Sequence, residues 1–332
     1  MSKDKVYQLL RQSGGDHLSG EEISRRLGIS RAAVWKAVDA LRKAGYTIDA
    51  RSGLGYALVE APDALTEREV RRCMDEREIS CARLHCFDEV DSTNSFLKRE
   101  ALAGAPHGTV AVANCQTGGR GRMSRVFQSP RDRGVYLSIL LRPNLSPAEL
   151  MPVTALTAVA MCDAVEAACG LRPRIKWTND LVVKGRKLAG ILTEMALEGE
   201  TGLVQYLVMG TGVNVLHTSE DFSPEVAAMA TSLRQELGIS VSRPVLAAEM
   251  IRAFNRLGED LGGDYSRYLA DYRRDCVTIG KQVQLLWQDR RETVEALDVD
   301  DQFGLVVRHE DGHTEVIRSG EVSVRGMYGY VE

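Results

Sequence analysis

The chain lacks the features of secreted, membrane and disulfide-stabilised proteins. Its first residues, MSKDKVYQLLRQ, alternate charged and apolar side chains and do not resemble a signal peptide. No uncharged apolar run approaches the roughly 18 residues that a membrane helix needs. The 7 cysteines are odd in number, scattered and without a C-x-x-C pair, which is typical of reduced thiols. These absences predict a soluble, cytoplasmic protein with no membrane partner.

Familiar catalytic and phosphate-binding motifs are also missing. The sequence contains neither G-x-x-x-x-G-K-[ST] nor a G-x-G-x-x-G between a strand and a helix, and no Ser–His–Asp or Cys–His set is visible. His309 and His313 have i,i+4 spacing, but the segment HEDGH is typical of a hairpin turn, in which the two positions do not share a helical face. We therefore predict no metal ligands among the protein side chains.

What is present indicates a globular protein with two or three domains. The 332 residues are 27% charged and 44% hydrophobic. Residues 1–62 are mostly helical, residues 63–276 mix strands with helices, and residues 277–332 alternate valine with polar residues between glycines. The last pattern predicts a small β-barrel. We expect an α+β multidomain fold with boundaries near residues 62 and 276.

Hydrophobic periodicity locates the main elements of the middle region. Thr66 is expected to begin a charged helix. The predicted strands cover 110–114, 135–140, 175–177, 188–193 and 206–210, and the predicted helices cover 95–103, 154–169, 244–261 and 265–272.

The N-terminal region has the order of signals found in a winged helix-turn-helix. Ser19 begins an S-x-x-E capping box, Gly28 ends the helix, and Ser30 caps a second helix to Arg42. A strand-like hairpin with Arg51 at its tip follows, and residues 1–60 carry a net charge of +3 against −7 for the remainder. The order favours DNA binding over the alternative, a helical domain for protein contacts.

Exposed positions of the second helix and the wing are the predicted DNA contacts, and contact with phosphate is favoured over base reading. They are Ser30, Arg31, Ala32, Trp35, Lys36 and Arg51.

A segment rich in glycine and arginine, QTGGRGRMSR at 116–125, is the candidate anion site. Glycines let backbone N–H groups approach a ligand, and arginines add forked donors for phosphate or carboxylate. The alternative is a solvated basic loop.

Three further segments add polar groups in unusual places. Small polar side chains at 92–94 follow a strand, where helix capping is the alternative explanation. Lys187 is expected to share a strand face with Ala189, Ile191 and Thr193, and such a lysine needs a partner for its ammonium group. The segment GTGVNV at 210–215 ends a hydrophobic strand with two glycines and an amide.

In this order, DSTN, QTGGRGRMSRVFQSP, KWTNDLVVKGRKLAGILTE and GTGVNV resemble the biotin–protein ligases. The helix-turn-helix, the wing RSGLGYAL and the terminal SGEVSVR resemble their bifunctional, BirA-type subgroup, the biotin operon repressors. The resemblance covers essentially the whole chain, and KWTND with RKLAGI is its most specific part. It implies a mixed-sheet catalytic domain similar to class II synthetases and a C-terminal SH3-like barrel.

The resemblance implies a two-step reaction. Biotin and ATP with Mg²⁺ form biotinyl-5′-AMP and pyrophosphate, and a lysine of a biotin carboxyl carrier protein then attacks the mixed anhydride. The implied catalytic residues are Lys187, Arg120, Arg122 and Asp180. The implied binding residues are Ser92, Thr93, Asn94, Gln116, Gly119, Arg120, Gly121, Arg122, Arg125, Lys187, Gly190, Gly212, Asn214 and Arg325.

The resemblance also implies specific roles for several of these residues. Lys187 bridges the biotin carboxyl oxygen and the α-phosphate, Asn214 contacts adenine, and Arg325 reaches the nucleotide from the barrel. Asp180 orients the incoming lysine; assistance in removing its proton is a second hypothesis. The regulatory partners implied are operator DNA and, when the chain holds biotinyl-AMP, a second copy of the chain.

The chain departs from the family pattern GRGRRGRxW in the loop, where it has Met123, Ser124 and Phe127. We expect altered loop ordering or nucleotide affinity and retained activity. Two other functions remain open: a biotin-sensing transcription factor with an inactive ligase domain, and a relative that adenylates another acid such as lipoate. The presence of Arg120, Arg122, Asp180 and Lys187 argues against the first. The loop beginning at Gln116 and the KWTND spacing argue against the second.

Overall fold

Three helices and a β-hairpin form the N-terminal part of the chain in the computed structural model, which describes residues 2–287, 290–318 and 321–324. The chain divides into two compact units, one ending at Ala64 and the next beginning at Leu65. The elements of the first unit are α1 (Ser2–Gln12), α2 (Gly20–Leu27), α3 (Arg31–Lys43), β1 (Thr47–Arg51) and β2 (Gly55–Glu60).

The capping signals of the first unit act where they were predicted. Ser19 Oγ accepts the N–H of Glu22 at 3.1 Å, and Ser30 Oγ accepts the N–H of Ala33 at 3.2 Å. Gly28 ends α2 in the left-handed region at φ 63°. β1 and β2 pair as an antiparallel hairpin, so the helix-turn-helix and its wing are confirmed.

The second unit contains a larger set of helices and strands. They are α4 (Glu67–Asp75), β3 (Arg83–Phe87), α5 (Thr93–Leu102), β4 (Thr109–Ala113), β5 (Gly134–Leu141), α6 (Val153–Cys169), β6 (Arg174–Lys176), β7 (Asp180–Val183), β8 (Arg186–Leu197), β9 (Val204–Asn214), α7 (Pro224–Ala227), α8 (Leu233–Leu237), α9 (Arg243–Asp260), α10 (Ser266–Asp275), β10 (Gln282–Trp287), β11 (Arg290–Val299), β12 (Leu305–Arg308), β13 (Thr314–Ile317) and β14 (Glu321–Val324). Short 3₁₀ turns lie at Arg122–Ser124 and Ser219–Asp221.

A seven-stranded mixed sheet organises this unit, in the order β3-β4-β5-β9-β8-β7-β6. β3 and β4 are parallel and the other neighbours are antiparallel, which confirms the mixed sheet. The strand alternation of β4 places Val110 and Val112 in the main core with α6 and α9, and Ala111 in a smaller core with α5. The predicted strands and helices are present; the strand expected before residues 92–94 is β3, whose bounds were not predicted, and β7 was not predicted.

The last five strands form a separate antiparallel sheet, in the order β13-β12-β11-β10-β14. His309 N–H donates to His313 O at 3.0 Å, so the predicted hairpin turn is confirmed. Closure into an SH3-like barrel and a boundary at residues 276 and 277 stay predictions; the hydrophobic core continues across that boundary. None of the described helices is long and apolar enough to cross a membrane.

Candidate functional site

A cavity of about 180 Å³ opens on one face of the mixed sheet, beside the segment 116–127. It is lined by most of the residues predicted from the sequence. These are Ser92, Thr93, Asn94, Gln116, Arg120, Gly121, Arg122, Arg125, Asp180, Lys187, Gly190 and Gly212. Several other lining residues were not assigned to the site from the sequence: Tyr136 and Ser138, and, within the motifs KWTND and GTGVNV, Lys176, Trp177, Asn179, Gly210 and Thr211.

Four lining residues, Thr93, Asn94, Gln116 and Ser138, form a hydrogen-bonded group that we name the polar cluster. The Thr93 N–H donates to Gln116 Oε1 at 2.9 Å, and the Thr93 hydroxyl lies 2.7 Å from Ser138 Oγ. Ser138 Oγ in turn donates to Asn94 Oδ1 at 2.6 Å. Thr93, Asn94 and Ser138 are buried. The cluster is therefore arranged by the protein's own bonds before a ligand enters.

Gly210 makes the close packing of the polar cluster feasible. A Cβ atom added to it would lie 2.0 Å from Asn94 Oδ1 and 2.9 Å from Ser138 Oγ. Any larger residue would displace Asn94 or Ser138 from its hydrogen bond. The sequence singled out the glycines of GTGVNV, but not which of them faces a polar side chain.

A second group of lining residues is charged, and we name it the charged cluster: Arg120, Arg122, Asp180 and Lys187, beside which Arg125 and Lys176 also line the cavity. Lys187 Nζ lies 2.7 Å from Asp180 Oδ1. Arg122 donates to Asn179 Oδ1 at 3.1 Å. The expected partner of the strand lysine is thus a carboxylate from the neighbouring strand β7.

Glu194 holds Arg120 and was missed by prediction. Its carboxylate accepts from Asn94 Nδ2 at 2.9 Å and from Lys98 Nζ at 2.6 Å, and Arg120 lies 3.3 Å away. Burial acts to raise the pKa of Glu194, but the hydrogen bonds from Lys98 and Asn94 and the charges of Lys98 and Arg120 outweigh it and lower that pKa. Glu194 therefore stays ionised and links the charged cluster to the polar cluster.

The expected face of Lys187 was wrong. The register between β7 and β8 shifts so that Leu181 pairs with Ala189 and Val182 pairs with Lys187, leaving one extra residue in β8. Thr193 Oγ1, by contrast, lies 2.6 Å from Thr154 Oγ1 of α6 on the core side. A β-bulge interrupts strand alternation, so the lysine turns to the cavity although its spacing from Thr193 is even.

Phe127 occupies the position over two of the predicted glycines. A Cβ on Gly212 would lie 2.4 Å from Phe127 Cε1, and a Cβ on Gly190 would lie 3.3 Å from Phe127 Cε2. The ring also contacts Tyr136 edge to face, with centroids 6.4 Å apart. Gly190 and Gly212 therefore do allow another group to come close to the backbone, as predicted. In this structure that group is the Phe127 ring.

The loop departs from regular geometry at Met123, which has φ 54° and ψ 39°. This left-handed conformation favours glycine. The third glycine of the family pattern GRGRRGRxW corresponds to Ser124, one residue after Met123. The side chain of Met123 is 71% exposed, so neighbouring side chains do little to stabilise the conformation.

Three predicted residues lie outside this lining. Gly119 packs inside the loop, where a Cβ would lie 2.4 Å from Phe127 O. Asn214 is buried and donates through Nδ2 to Thr231 O at 3.0 Å. Arg325 lies outside the described residues.

The predicted DNA contacts lie on the outer face of α3 and at the wing. Ser30 caps the helix, and Arg31, Ala32 and Lys36 are exposed. Trp35 is 60% exposed, which is unusual for a tryptophan without a partner surface. At the wing, Arg51 Nε lies 2.9 Å from Asp49 Oδ2.

Comparison with known proteins gives two family matches. Residues 86–214 match the biotin/lipoate A/B protein ligase family. Residues 3–57 match a helix-turn-helix domain family.

Whole-chain relatives agree with both matches. The chain is 35% identical over 328 residues to the bifunctional ligase/repressor BirA of Bacillus subtilis, covering 94% of this chain and 95% of that protein. It is 31% identical over 265 residues to the biotin–[acetyl-CoA-carboxylase] ligase of Mycobacterium tuberculosis, covering 78% and 95%. The biotin protein ligase of Aquifex aeolicus in complex with biotin and ATP superposes with a TM-score of 0.62 at 25% identity, covering 74% and 99%.

Proposed function

The chain belongs to the family of bifunctional biotin ligases and repressors, and from this premise we propose which of its residues carry each activity. It is an ATP-dependent ligase that forms biotinyl-5′-AMP and transfers biotin to a lysine of a biotin carboxyl carrier protein. It is also a biotin-responsive repressor of biotin genes.

The charged cluster serves the first step. Attack of the biotin carboxylate on the α-phosphate brings two anions together, so the site must supply fixed cations where charge accumulates. Lys187 releases Asp180 and bridges the carboxyl oxygen and the α-phosphate, while Arg120 and Arg122 hold the flanking oxygens. The observation that carries this proposal is the convergence of these cations on one cavity.

The polar cluster receives the head of biotin. Its amide and hydroxyl groups match the donors and acceptors of a ureido ring, and Ser92 at the start of α5 extends the same wall. Gly190 and Gly212 border the path of the acyl chain of biotin. Because the Phe127 ring lies over these glycines, it moves aside when biotin binds. Arg125 closes over the ligand, Asn214 contacts adenine, and Gly119 gives the loop its close packing.

A Mg²⁺ ion would accompany ATP at this site. Among the described residues, Asp180 is the one carboxylate in the cavity lining, and it is held by Lys187. Mg²⁺ commonly takes one or two carboxylates together with phosphate oxygens and water. With Asp180 as the carboxylate that this lining offers, the ion would depend mainly on ATP itself for its ligands and would neutralise part of the charge on ATP.

Asp180 serves the second step. Once Lys187 has moved to the ligand, the Asp180 carboxylate is free to orient the amine of the carrier lysine. No covalent enzyme intermediate is required, because positioning and electrostatics suffice for attack on a mixed anhydride.

Lys187→Ala tests the catalytic assignment. It should abolish biotin-dependent pyrophosphate exchange, because the bridging charge is lost. Lys184→Ala is the matched control, since Lys184 lies on the same hairpin but is 76% exposed and paired with Glu236. Near-normal exchange in Lys187→Ala would remove this residue from the mechanism.

The repressor activity rests on α3 and the wing. Arg31 and Lys36 contact the phosphates of operator DNA, so Arg31→Ala should weaken binding and reduce its salt dependence in a gel-shift titration. Lys43→Ala is the control, because Lys43 pairs with Asp39 at the other end of the helix. Equal loss in both variants would contradict the assignment.

A homodimer of the chain holding biotinyl-AMP presents two such helices to a palindromic site. Exposed apolar side chains of the loop support a loop-linked interface: Met123 is 71% exposed and Val126 81%. Sedimentation should show a larger dimer fraction with biotin and ATP than without them. An unchanged fraction would contradict ligand-linked dimerisation.

A further inference from the structure

The hairpin between β12 and β13 places two histidines side by side. His309 and His313 close the turn, with the His309 N–H donating to His313 O at 3.0 Å. Their side chains therefore lie on one face, and the rings stack with centroids 4.0 Å apart and an angle of 8°. Glu315 follows on that face two residues after His313. The sequence predicted no metal ligands here because a hairpin turn gives the two histidines no shared helical face. The hairpin nevertheless brings them together, as neighbours across its two strands.

Two carboxylates orient the rings. Glu292 Oε1 lies 2.5 Å from His309 Nδ1, and Asp311 Oδ1 lies 2.5 Å from His313 Nδ1. Metal-binding histidines usually donate one ring N–H to a carboxylate in this way, which fixes the tautomer and leaves the other nitrogen as the ligand. The remaining nitrogen of His309, Nε2, lies 3.2 Å from Glu315 Oε2.

We propose that His309, His313 and Glu315 form a binding site for a divalent transition-metal ion such as Zn²⁺. One ligand atom from each lies within 4.8 Å of the other two. Bonds of about 2.0–2.2 Å in tetrahedral geometry require ligand atoms roughly 3.4 Å apart, so the distance from His309 Nε2 to Glu315 already fits. The fourth position is left for water or an external ligand.

An imidazole binds a metal ion in its own ring plane, so one of the two stacked rings must turn for both to reach the same ion, and the exposed His313 side chain has room to do so. The side chain of His309 is 8% exposed, whereas those of His313 and Glu315 are 56% and 54% exposed and free of the core.

Zinc titration of the full-length protein tests the site. The protein is stripped with chelator, and ZnCl₂ binding is followed by calorimetry, with bound zinc counted after dialysis. We expect His313→Ala to bind one zinc per chain fewer than the unmodified protein. Asp311→Asn should weaken that same site by about 10-fold to 100-fold, as expected for a second-layer carboxylate.

His17→Ala is the matched control, because His17 also pairs with a carboxylate, Asp49 at 3.1 Å, but among the described residues no histidine ring stacks on it as His313 stacks on His309. Its zinc binding should equal that of the unmodified protein. The seven thiols contribute equally to all variants, so the difference isolates the hairpin. Equal zinc stoichiometry and affinity in His313→Ala and the unmodified protein would overturn the proposal.

Discussion

The polar cluster and the charged cluster border the same cavity but are held in different ways. Thr93, Asn94 and Ser138 are buried and bonded to one another, and Asn94 is also held by the Glu194 carboxylate. Lys187 and Arg120 are partly exposed and paired with the carboxylates of Asp180 and Glu194. The polar cluster can receive a ligand as it stands, whereas the charged cluster must exchange partners.

The exchange is energetically modest. Ion pairs that are partly solvated contribute about 0–1 kcal/mol, so incoming carboxylate and phosphate groups can replace them at little cost. A buried hydrogen-bonded group is expensive to disturb, because each lost bond leaves an unsatisfied polar atom. In the function that we propose, recognition of biotin therefore rests on a prearranged wall, and catalysis on groups that exchange partners.

The largest expected effect is a substitution at Asp180 that slows one of the two chemical steps much more than the other. Asp180→Asn should slow transfer of biotin to the carrier protein by about 100-fold, because the carboxylate that orients the amine is lost. Formation of biotinyl-AMP should change less than about tenfold, since Lys187 keeps its charge. Single-turnover assays of each step make the measurement.

Asp88→Asn is the control for that prediction. Its carboxylate pairs with Arg131 and is 79% exposed, and it is not part of the cavity lining. An equal loss in both steps of Asp180→Asn would contradict the assignment of Asp180 to the second step.

The next effect probes the polar cluster through Gly210. Gly210→Ala should weaken biotin binding about tenfold to 100-fold, because the added methyl breaks the bond between Ser138 and Asn94. Calorimetry with biotin measures the change. Gly199→Ala is the matched control, since nothing lies within 4 Å of its Cβ position. Unchanged biotin affinity in Gly210→Ala would remove the prearranged wall from the account.

The smallest effect concerns pH and Glu194. Burial raises its pKa, but the bonds and charges of Lys98, Asn94 and Arg120 lower it below the ordinary 4.5. Its ionised form therefore stabilises the fold above pH 4.5, and that contribution is lost as pH falls through the lower, folded-state pKa. The difference in unfolding free energy between the unmodified protein and Glu194→Gln should shrink on acidification.

Urea unfolding at neutral pH and near pH 3 measures this difference. Glu200→Gln, on the exposed turn after β8, serves as the control and should show little effect at either pH. A difference for Glu194→Gln that is constant with pH would show that its ionisation does not connect the two clusters.

Local signals predicted much of the fold. Ser19, Ser30 and Thr66 cap helices where the sequence placed them, because a cap depends on residues three or four positions away. Long apolar periodicity likewise located α6 and α9 to within one residue at each end.

Long-range pairing explains what was missed. Ser138 and Glu194 are unremarkable within their own strands, and they join the site only through sheet registers that bring them to Asn94. The bulge beside Leu188 changed the face of Lys187, and no local signal marked it. Sequence patterns predict which residues a strand contains more readily than which neighbour each one meets.

The most direct test of the central claim is recovery of the intermediate. The protein is incubated with ATP and biotin, passed through a desalting column and examined by mass spectrometry. We predict retained biotinyl-5′-AMP with the unmodified protein, none with Lys187→Ala, and none of the corresponding adenylate when lipoate replaces biotin. Absence of biotinyl-5′-AMP from the unmodified protein, or equal adenylation of lipoate, would contradict the account.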